Sequence, residues 1–445
     1  MALNTAVFLP VSVLGQQATI SIGTTELSAG HAGVTVPDIG AVGAAPRLIL
    51  RSEGPTLTGA SGEIPLSQVR VTPVHNNTEQ GTVFLSQRQQ EIRLTSIDPS
   101  GAKYDPVFVR FDIANLSGYA WKAGKYRAEL NCGISNGEGK VASKVITTAL
   151  QVNVDPVIAI QRQPTVIRLH INEAQQYING YVSPGFDQLG ITHTVPLNVK
   201  VSTDAPFFSY TGNNGKGNTR AAVSGLHYRV DGAGATGPVA LSTSGQQVYA
   251  HKEVPVGNQT DLAQRFTISA EDLQKYFSEP GTYRTNLNIQ VADEPAAPAI
   301  TKTIAAQLEI VVDEVMAFDA GKIVNLSIQT MDDYKNGVYA EMYRHLILTG
   351  NITANLTVRS LNANFTSLSG SFPVGYLTVG PYLTSSVIRT VQVSTSDQLL
   401  IQRYNPNGTT YISLKYSILA DKTRLLISKP KEQYSVTLIY SAVPY

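Results

Sequence analysis

The chain has 445 residues, 15% of them charged, and its formal net charge at pH 7 is +1. This length predicts two to four domains, because a single hydrophobic core stops growing at about 250 residues. Its Lys and Arg residues are scattered, which argues against nucleic acid or an anionic membrane as the main partner, since both need concentrated positive charge. The abundant Ser, Thr, Asn, Gly, Val and Tyr are typical of strands and turns.

The N-terminal segment has the pattern of one amphipathic strand. Val7, Leu9, Val11 and Val13 alternate with other residues and would share one face. No basic region precedes them, as an intact signal peptide requires, and no part of the chain approaches the ~20 apolar residues of a membrane helix. We therefore expect no membrane insertion. Either the protein is not secreted through a signal peptide, or the chain is a mature form with an added starting Met.

An internal duplication covers the first two thirds of the chain. Residues 144–160 align without a gap with residues 302–318, at an offset of 158 that places Asp155 opposite Asp313. Two upstream blocks follow in the same order and at nearly the same offset, 124–131 with 281–288 and 110–113 with 265–268. Chance does not readily produce several blocks in one order, so the first two domains are interpreted as a duplication.

A fainter third copy follows. Segments 48–52 and 197–202 have a counterpart at 356–360, and segment 434–440 is a candidate equivalent of the Gly-x-Tyr strand that begins at Gly281. We therefore predict three domains: β-sandwich domain 1 at residues 1–160, its duplicate at 161–318, and a Tyr-rich β domain at 319–445. The expected linkers are 161–165 and 319–325, which are short and not rich in Gly and Ser.

Most segments alternate apolar and polar residues in short runs bounded by Gly, Pro, Asn or Asp. This pattern is typical of half-buried antiparallel strands, and the lack of long helical periods between them favours sandwiches over α/β designs. We predict an all-β fold of tandem Ig-like, Greek-key antiparallel β-sandwich domains. A short helix should begin at 269–272, which resembles a capping box, and segment 338–348 is either a short helix or a strand.

Two glycine-rich segments resemble phosphate-binding loops. Residues 232–237 read G-x-G-x-x-G, but a strand-like segment follows where a dinucleotide site needs a helix. The Asp231-Gly232 pair is a turn signal, so we predict a hairpin loop there. Segment 211–219 lacks the spacing of a P-loop and is interpreted as a surface loop, with an anion site as the alternative.

Residues with catalytic or metal-binding potential are dispersed. None of the seven His residues has the spacing of a zinc site, and Cys132 is matched by the ordinary Ile289 of the second domain. A calcium site between domains would use Asp155 and Asp313, which are better explained as turn residues at strand ends. We therefore predict a protein that is not an enzyme and has no cofactor or metal.

Tyrosine is concentrated in the C-terminal part of the chain. Tyr376, Tyr382, Tyr404 and Tyr411 are candidate ligand-facing aromatics, because Tyr combines an apolar body with a polar tip and suits exposed binding faces. The alternative is the ordinary preference of Tyr for half-buried strand positions.

Several short motifs of the second domain occur together in one known group. They are 197–202, Arg220 within a Gly/Asn-rich stretch, 226–230 and the closing Gly-x-Tyr strand within 280–290. With these motifs, residues 197–290 resemble the spore coat protein U and archaic chaperone–usher pilin group. Through the internal repeat the resemblance extends to the first domain.

The resemblance implies Ig-like sandwiches that assemble into surface fibres, in which the N-terminal strand of one subunit completes a sheet of the next. Residues 5–14, with the apolar face described above, would be that donor strand. The alternative is that this strand pairs within its own first domain. The chain departs from the group because Cys132 is its only cysteine, which excludes the usual pilin disulfide, and because it contains three domains.

Together these observations predict a structural or adhesive subunit of a surface appendage, filament or coat that assembles through β-strand edges. The expected partners are further copies or related subunits and a glycan or other surface ligand, without nucleic acid. The expected location is extracellular or on the cell surface. Two alternatives are a carbohydrate-binding, lectin-like surface protein and a viral or phage fibre or capsid component located in the virion.

Overall fold

A computed structural model describes residues 17–36, 46–94, 107–135, 146–212, 220–293, 300–321 and 323–445. Within these ranges the chain consists of β-sheets joined by turns and short helices, which confirms the predicted all-β sandwich fold. The predicted donor residues Val7, Leu9, Val11 and Val13 lie outside the described residues, as does most of the loop at 211–219.

The first sandwich consists of two sheets around one apolar core. Its strands are β1 (Ala18–Ile22), β2 (Ala32–Val36), β3 (Arg47–Ser52), β4 (Thr56–Gly59), β5 (Gly62–Pro65), β6 (Arg70–His75), β7 (Thr78–Glu79), β8 (Val83–Phe84), β9 (Gln90–Arg93), β10 (Phe108–Ile113), β11 (Gly124–Ser135) and β12 (Ile146–Val154). One sheet has the order β1-β12-β11-β3-β9, with β4 beside β11 and β5 beside β4. The other has the order β2-β10-β6-β7, with β8 beside β6. Helix α1 (Thr24–Ala29) joins β1 to β2.

The second sandwich repeats this arrangement around its own core. Its strands are β13 (Ile158–Arg162), β14 (Val166–Ile171), β15 (Tyr181–Val182), β16 (Phe186–His193), β17 (Leu197–Thr203), β18 (Ser209–Gly212), β19 (His227–Asp231), β20 (Val239–Ala240), β21 (Gln246–His251), β22 (Gln259–Ile268), β23 (Gly281–Asp293) and β24 (Thr301–Val312). The sheets are β13-β16-β22-β19-β20, with β15 beside β22, and β14-β24-β23-β17-β21, with β18 beside β23. Its helices are α2 (Gln176–Asn179) and α3 (Ala270–Tyr276).

The third sandwich has one full sheet and one smaller sheet. Its strands are β25 (Met316–Ala320), β26 (Gly337–Gly350), β27 (Ala354–Ser360), β28 (Asn364–Thr366), β29 (Ser371–Pro373), β30 (Leu377–Pro381), β31 (Val391–Gln392), β32 (Gln398–Tyr404), β33 (Gly408–Leu419) and β34 (Leu438–Pro444). The orders are β25-β26-β33-β30-β31 and β32-β27-β34, and β28 pairs with β29. Its helices are α4 (Met331–Asn336) and α5 (Ala420–Thr423).

The alternating pattern of the strands explains how each core forms. In β17, Leu197, Val199 and Val201 are fully buried, whereas Lys200 between them is exposed. Successive side chains of a strand point to opposite faces, so a period of two places one set of residues inside and the other in solvent. Each sandwich thereby encloses a separate cluster of buried apolar side chains.

These elements include a helix, a hairpin loop and a strand for which the sequence contained local signals. Helix α3 begins at Ala270, and the backbone N–H of Asp272 donates to the hydroxyl of Ser269 at 3.0 Å, as the capping pattern predicts. The G-x-G-x-x-G segment is the loop of the hairpin formed by β19 and β20, also as predicted. Of the two possibilities for 338–348, the strand is correct, because this segment lies within β26.

The first strands of the second and third sandwiches begin before the linkers that we expected at 161–165 and 319–325. Strand β13 begins at Ile158 and pairs with β16 of the second sandwich, and β25 begins at Met316 and pairs with β26 of the third. The domain ends expected after residues 160 and 318 therefore fall inside strands. We propose instead that the domains divide at 155–157 and 313–315.

Candidate strand-accepting groove

The three sandwiches share an apolar segment near their N-terminal side. Its inward positions are Ala18, Ile20 and Ile22 in β1, Ile167, Leu169 and Ile171 in β14, and Val324, Leu326 and Ile328 in the third sandwich. In β1 and β14 these side chains are at most 2% exposed, whereas the three residues of the third sandwich are half-buried. Within the part of the chain that the structure describes, 323–328 pairs with no strand.

The last strand of each complete sandwich explains this difference. Strand β12 lies between β1 and β11, parallel to β1 and antiparallel to β11. Strand β24 lies in the same way between β14 and β23. In the described part of the third sandwich no strand lies between 323–328 and β34, so the position of β12 and β24 is empty there.

A tyrosine that recurs in all three sandwiches fixes which strand of the third corresponds to β11 and β23. The hydroxyl of Tyr126 donates to the carbonyl of Lys122 at 2.8 Å, and that of Tyr283 donates to the carbonyl of Glu279 at 2.9 Å. Tyr434 does the same with the carbonyl of Pro430 at 2.9 Å. The segment at 434–440 therefore occupies the place of the Gly-x-Tyr strand, although the regular strand β34 begins only at Leu438.

The pairing registers give the residues that the missing strand would cover. In the second sandwich Thr285, Leu287 and Ile289 of β23 face Leu308, Ala306 and Ile304 of β24. Because β27 pairs with β34 as β17 pairs with β23, the equivalent residues of the third sandwich are Val436, Leu438 and Tyr440. These three side chains are half-buried, whereas their counterparts in β23 are at most 9% exposed.

The empty position forms a groove with a volume of about 950 Å³. One wall contains residues 323–326 and Ile328, and the other contains residues 429–438 and Tyr440. The inner lining includes Phe365, Phe372, Leu377, Ile418 and Leu426. A groove with an alternating apolar segment on one side and a strand edge on the other has the form that an extended peptide can fill.

Part of the groove floor is polar and uncharged at neutral pH. The hydroxyls of Tyr416 and Tyr440 hydrogen-bond to each other, and the ring of His345 lies edge-to-face with both, at centroid distances of 5.4 and 6.5 Å. Burial raises the pKa of Tyr416 to about 12, it raises the pKa of Tyr440 as well, and it lowers the pKa of His345. These groups therefore add polarity to the floor without adding charge.

The four predicted ligand-facing tyrosines do not form one cluster. Tyr376 and Tyr404 are half-buried and pack against the third core, and Tyr376 stacks on Phe372 at a centroid distance of 5.9 Å. Tyr411 is 50% exposed on β33, and the backbone N–H of Tyr382 donates to the carbonyl of Ser413 two residues further along that strand. The backbone of Tyr382 thus pairs with the strand that carries Tyr411, and the ligand-facing role of all four tyrosines stays a prediction.

Other residues singled out in the sequence have structural surroundings. Cys132 packs against the first core, and burial raises the pKa of its thiol to about 12, so the reactive thiolate is scarce at neutral pH. The backbone N–H of Asp155 donates to Ile22, and that of Asp313 donates to Ile171, both at 2.9 Å. These two aspartates thus follow the last strands of the two complete sandwiches, at equivalent places.

The described residues contain neither a cluster of metal-binding side chains nor a helix that could span a membrane. No group of three or more His, Cys, Asp or Glu side chains there is arranged to hold a metal ion. Within the same ranges, none of the helices combines the length and the apolar character needed to cross a membrane.

Comparison with known proteins finds likeness at the level of structure. No family model and no curated protein sequence matches the chain. CfaE, the adhesive subunit of CFA/I fimbria of enterotoxigenic Escherichia coli, aligns with 67% of this chain and 98% of its own, at 10% identity and a TM-score of 0.30. CsuE, from a chaperone–tip adhesion subunit complex of the archaic chaperone-usher Csu pili of Acinetobacter baumannii, aligns with 64% of this chain, with 100% coverage of that chain, 11% identity and a TM-score of 0.33.

A third similar structure is the CupB6 tip adhesin from Pseudomonas aeruginosa, with 63% of this chain and 91% of that one covered, 9% identity and a TM-score of 0.28. All three of these similar structures are adhesin subunits.

Sequence reasoning missed the groove because it assigned residues 319–325 to a linker. The signal was present, since Val324, Leu326 and Ile328 alternate as Ile167, Leu169 and Ile171 do. An alignment of 323–328 with 166–171 would have predicted a strand there. It would not have shown that the neighbouring strand is missing.

Proposed function

We propose that this protein is a structural or adhesive subunit of a surface appendage, filament or coat, and that its third sandwich accepts a β-strand from another subunit. The observation that carries the proposal is the empty strand position between 323–328 and β34, which β12 and β24 fill in the other two sandwiches. An extracellular or cell-surface location and partners of the same or a related kind form part of this proposal.

An added strand would contact both sides of the groove at once. The incoming strand would run antiparallel to β34 and parallel to 323–328, as β24 runs relative to β23 and β14. Its backbone would pair with the open edge of β34, and its alternate side chains would bury Val324, Leu326 and Leu438. Hydrogen bonds along the main chain supply affinity in this mode, and the alternating side chains supply specificity.

Strand β24 gives a template for the ligand. Its inward residues are Ile304, Ala306, Leu308 and Ile310, all at most 3% exposed. A one-residue slip of such a strand turns every apolar side chain to the opposite face, so the phase of the alternation should decide binding.

A synthetic peptide with the sequence of residues 302–313 tests the groove on the full-length protein. At a peptide concentration about ten times its Kd, we expect the backbone amides of β34 to exchange with deuterium roughly tenfold more slowly. A peptide of the same composition without the alternation should have no effect. Protection by both peptides, or by neither, would contradict the proposed strand addition.

Two neighbouring substitutions provide a matched pair for the same experiment. Leu326→Arg places a charge on the groove wall, whereas Ser327→Arg places it at the next residue, which is exposed and does not line the groove. We expect the first variant to lose peptide binding and the second to retain it, because only the first buries a guanidinium under the added strand. Equal binding by the two variants would show that the peptide lies elsewhere.

The donor of the strand is a separate part of the proposal. We propose residues 5–14 of a second copy, in which Val7, Leu9, Val11 and Val13 form one apolar face. Deletion of residues 1–16 should then abolish concentration-dependent assembly, seen by negative-stain electron microscopy and light scattering, without changing the circular dichroism spectrum. Unchanged assembly would refute this donor, and loss of the folded first sandwich would favour pairing within its own domain.

A further inference from the structure

An exposed arginine of the third sandwich lies close to two tyrosine rings. Arg344 lies in a β-bulge of β26, where the register against β33 shifts between Met342 and Leu346. Its φ of 50° is in the left-handed region, which non-glycine residues rarely occupy. Bulges bend a strand locally and redirect a side chain, and they are frequent beside binding sites.

The bulge is fixed by a hydrogen bond from its own backbone. The N–H of Arg344 donates to the hydroxyl of Ser413 on β33 at 2.9 Å. A strained backbone conformation persists only where its surroundings hold it. Because Ser413 anchors the bulge, the direction of the Arg344 side chain is set before any ligand arrives.

Two tyrosines flank the side chain itself. The guanidinium carbon of Arg344 lies 4.7 Å from the ring centroid of Tyr411 and 5.3 Å from that of Tyr343. These rings are 50% and 70% exposed. Stacking uses the flat faces of the guanidinium and leaves its N–H donors, which lie in its plane, directed outward.

The surrounding charge favours an anion. Among the residues that the structure describes, no carboxylate pairs with Arg344. Next to it on the same sheet, the Lys415 ammonium lies 3.9 Å from the ring centroid of Tyr339 and 3.5 Å from the Glu341 carboxylate. Glu341 thus offsets Lys415, and the charge of Arg344 stays uncompensated.

We propose that Arg344, Tyr343 and Tyr411 bind a sugar that carries an anionic group, with the guanidinium holding the carboxylate or sulfate and a tyrosine ring packing on the sugar. A guanidinium offers paired N–H donors that match both groups. Exposed tyrosine rings supply rigid, partly apolar surface for the ring carbons. Neither feature would select a neutral sugar over an acidic one. This site is separate from the groove.

Binding of 3′-sialyllactose, 3′-sulfolactose, trigalacturonate and neutral lactose to the full-length protein tests the site, by ligand-observed NMR and isothermal titration calorimetry. We expect at least one acidic sugar to bind about tenfold or more tightly than lactose, and Arg344→Asn to remove that difference. Asn suits a positive φ, so this variant retains the backbone of the bulge. The acidic sugar that binds identifies whether carboxylate or sulfate is preferred.

Arg403→Asn is the matched control, because Arg403 also has a φ of 50° and stacks on one tyrosine, Tyr445, at 4.0 Å. It lies on β32, in the other sheet of the sandwich. We expect this variant to bind as the wild type does. Failure of all three acidic sugars to bind at millimolar concentration would overturn the proposal, as would equal loss in both variants. Neither result bears on the peptide experiment.

Discussion

At the scale of single residues, buried amides and hydroxyls fix how the sandwiches meet. The carbonyl oxygen of the Asn258 side chain accepts from the backbone N–H of Trp121 at 3.1 Å. Its amide donates to the carbonyls of Trp121 and His193, at 2.8 and 2.7 Å. Asn258 is fully buried, so the first and second sandwiches share a hydrogen-bond network that is closed to water.

The loss of this side chain should destabilise the protein measurably. Asn258 has a φ of 58°, which glycine adopts without strain, so Asn258→Gly isolates the effect of the lost hydrogen bonds. We expect a decrease of about 2–4 kcal/mol in the free energy of unfolding, measured by urea denaturation, because buried backbone groups lose their partners. Asn77→Gly, at an exposed asparagine with a φ of 60°, is the control and should change it little.

A second feature at the scale of single residues is the tyrosine that recurs in each sandwich. Tyr126, Tyr283 and Tyr434 make the same hydrogen bond four residues back along the chain. In the first two sandwiches a glycine lies two residues before the tyrosine, whereas in the third sandwich this position is Glu432. The third copy was faint in sequence because the glycine is replaced, although the tyrosine retains its role.

At the scale of elements, one carboxylate joins three strands of the second sandwich. Glu309 of β24 is 6% exposed and accepts hydrogen bonds from Arg284 of β23 at 2.8 Å and from Arg168 of β14 at 2.8 and 3.0 Å. The hydrogen bonds from Arg284 and then Arg168 lower the pKa of Glu309 below its usual value. Replacement of this residue should therefore alter the response of the fold to acid.

The lowered pKa of Glu309 determines whether acid stabilises or destabilises the fold. A carboxyl group whose pKa is lower in the folded state contributes stability above its unfolded pKa, about 4.3, and this contribution is lost as the pH falls through the folded pKa. We expect thermal unfolding of Glu309→Gln to depend less on pH below about 4.3 than that of the wild type. A pH dependence of Glu309→Gln equal to that of the wild type would contradict the assignment.

At the scale of the whole molecule, the two junctions between sandwiches are built alike. The hydroxyl of Thr194 accepts from the N–H of Val157 at 2.8 Å and donates to the carbonyl of Asp155 at 2.6 Å. The side chain of Asn351 accepts from the N–H of Val315 at 2.9 Å and donates to the carbonyl of Asp313 at 2.8 Å. Each connecting segment is thus held by a buried side chain of the following sandwich.

These junctions predict a molecule that bends little between its sandwiches. Small-angle X-ray scattering of the wild type should fit a single arrangement of the three sandwiches, because the connecting backbone is hydrogen-bonded on both sides of each short junction. Asn351→Ala should increase the radius of gyration and broaden the distance distribution, whereas Asn364→Ala, at an exposed position of β28, should not. A wild type that already requires several arrangements would contradict this prediction.

The all-β fold and the duplication could be predicted from the sequence, because both depend on local patterns. Alternation as in Leu197, Val199 and Val201 fixes which face of a strand is buried, and the matched blocks around Asp155 and Asp313 repeat that pattern along the chain. The helix after Ser269 and the hairpin at 232–237 were predictable for the same reason, since capping and turn signals act over a few residues.

The strand-accepting groove and the arginine site required the tertiary structure. Residues 323–328 have the same alternation as 166–171. Only the pairing of distant strands shows that 166–171 has a neighbouring strand, whereas 323–328 has none among the described residues. Likewise, Arg344 and Tyr411 are far apart in the chain and meet because β26 and β33 pair across a bulge. Local pattern determines which face of a strand is apolar, but the partner of that face is decided by contacts between residues distant in sequence.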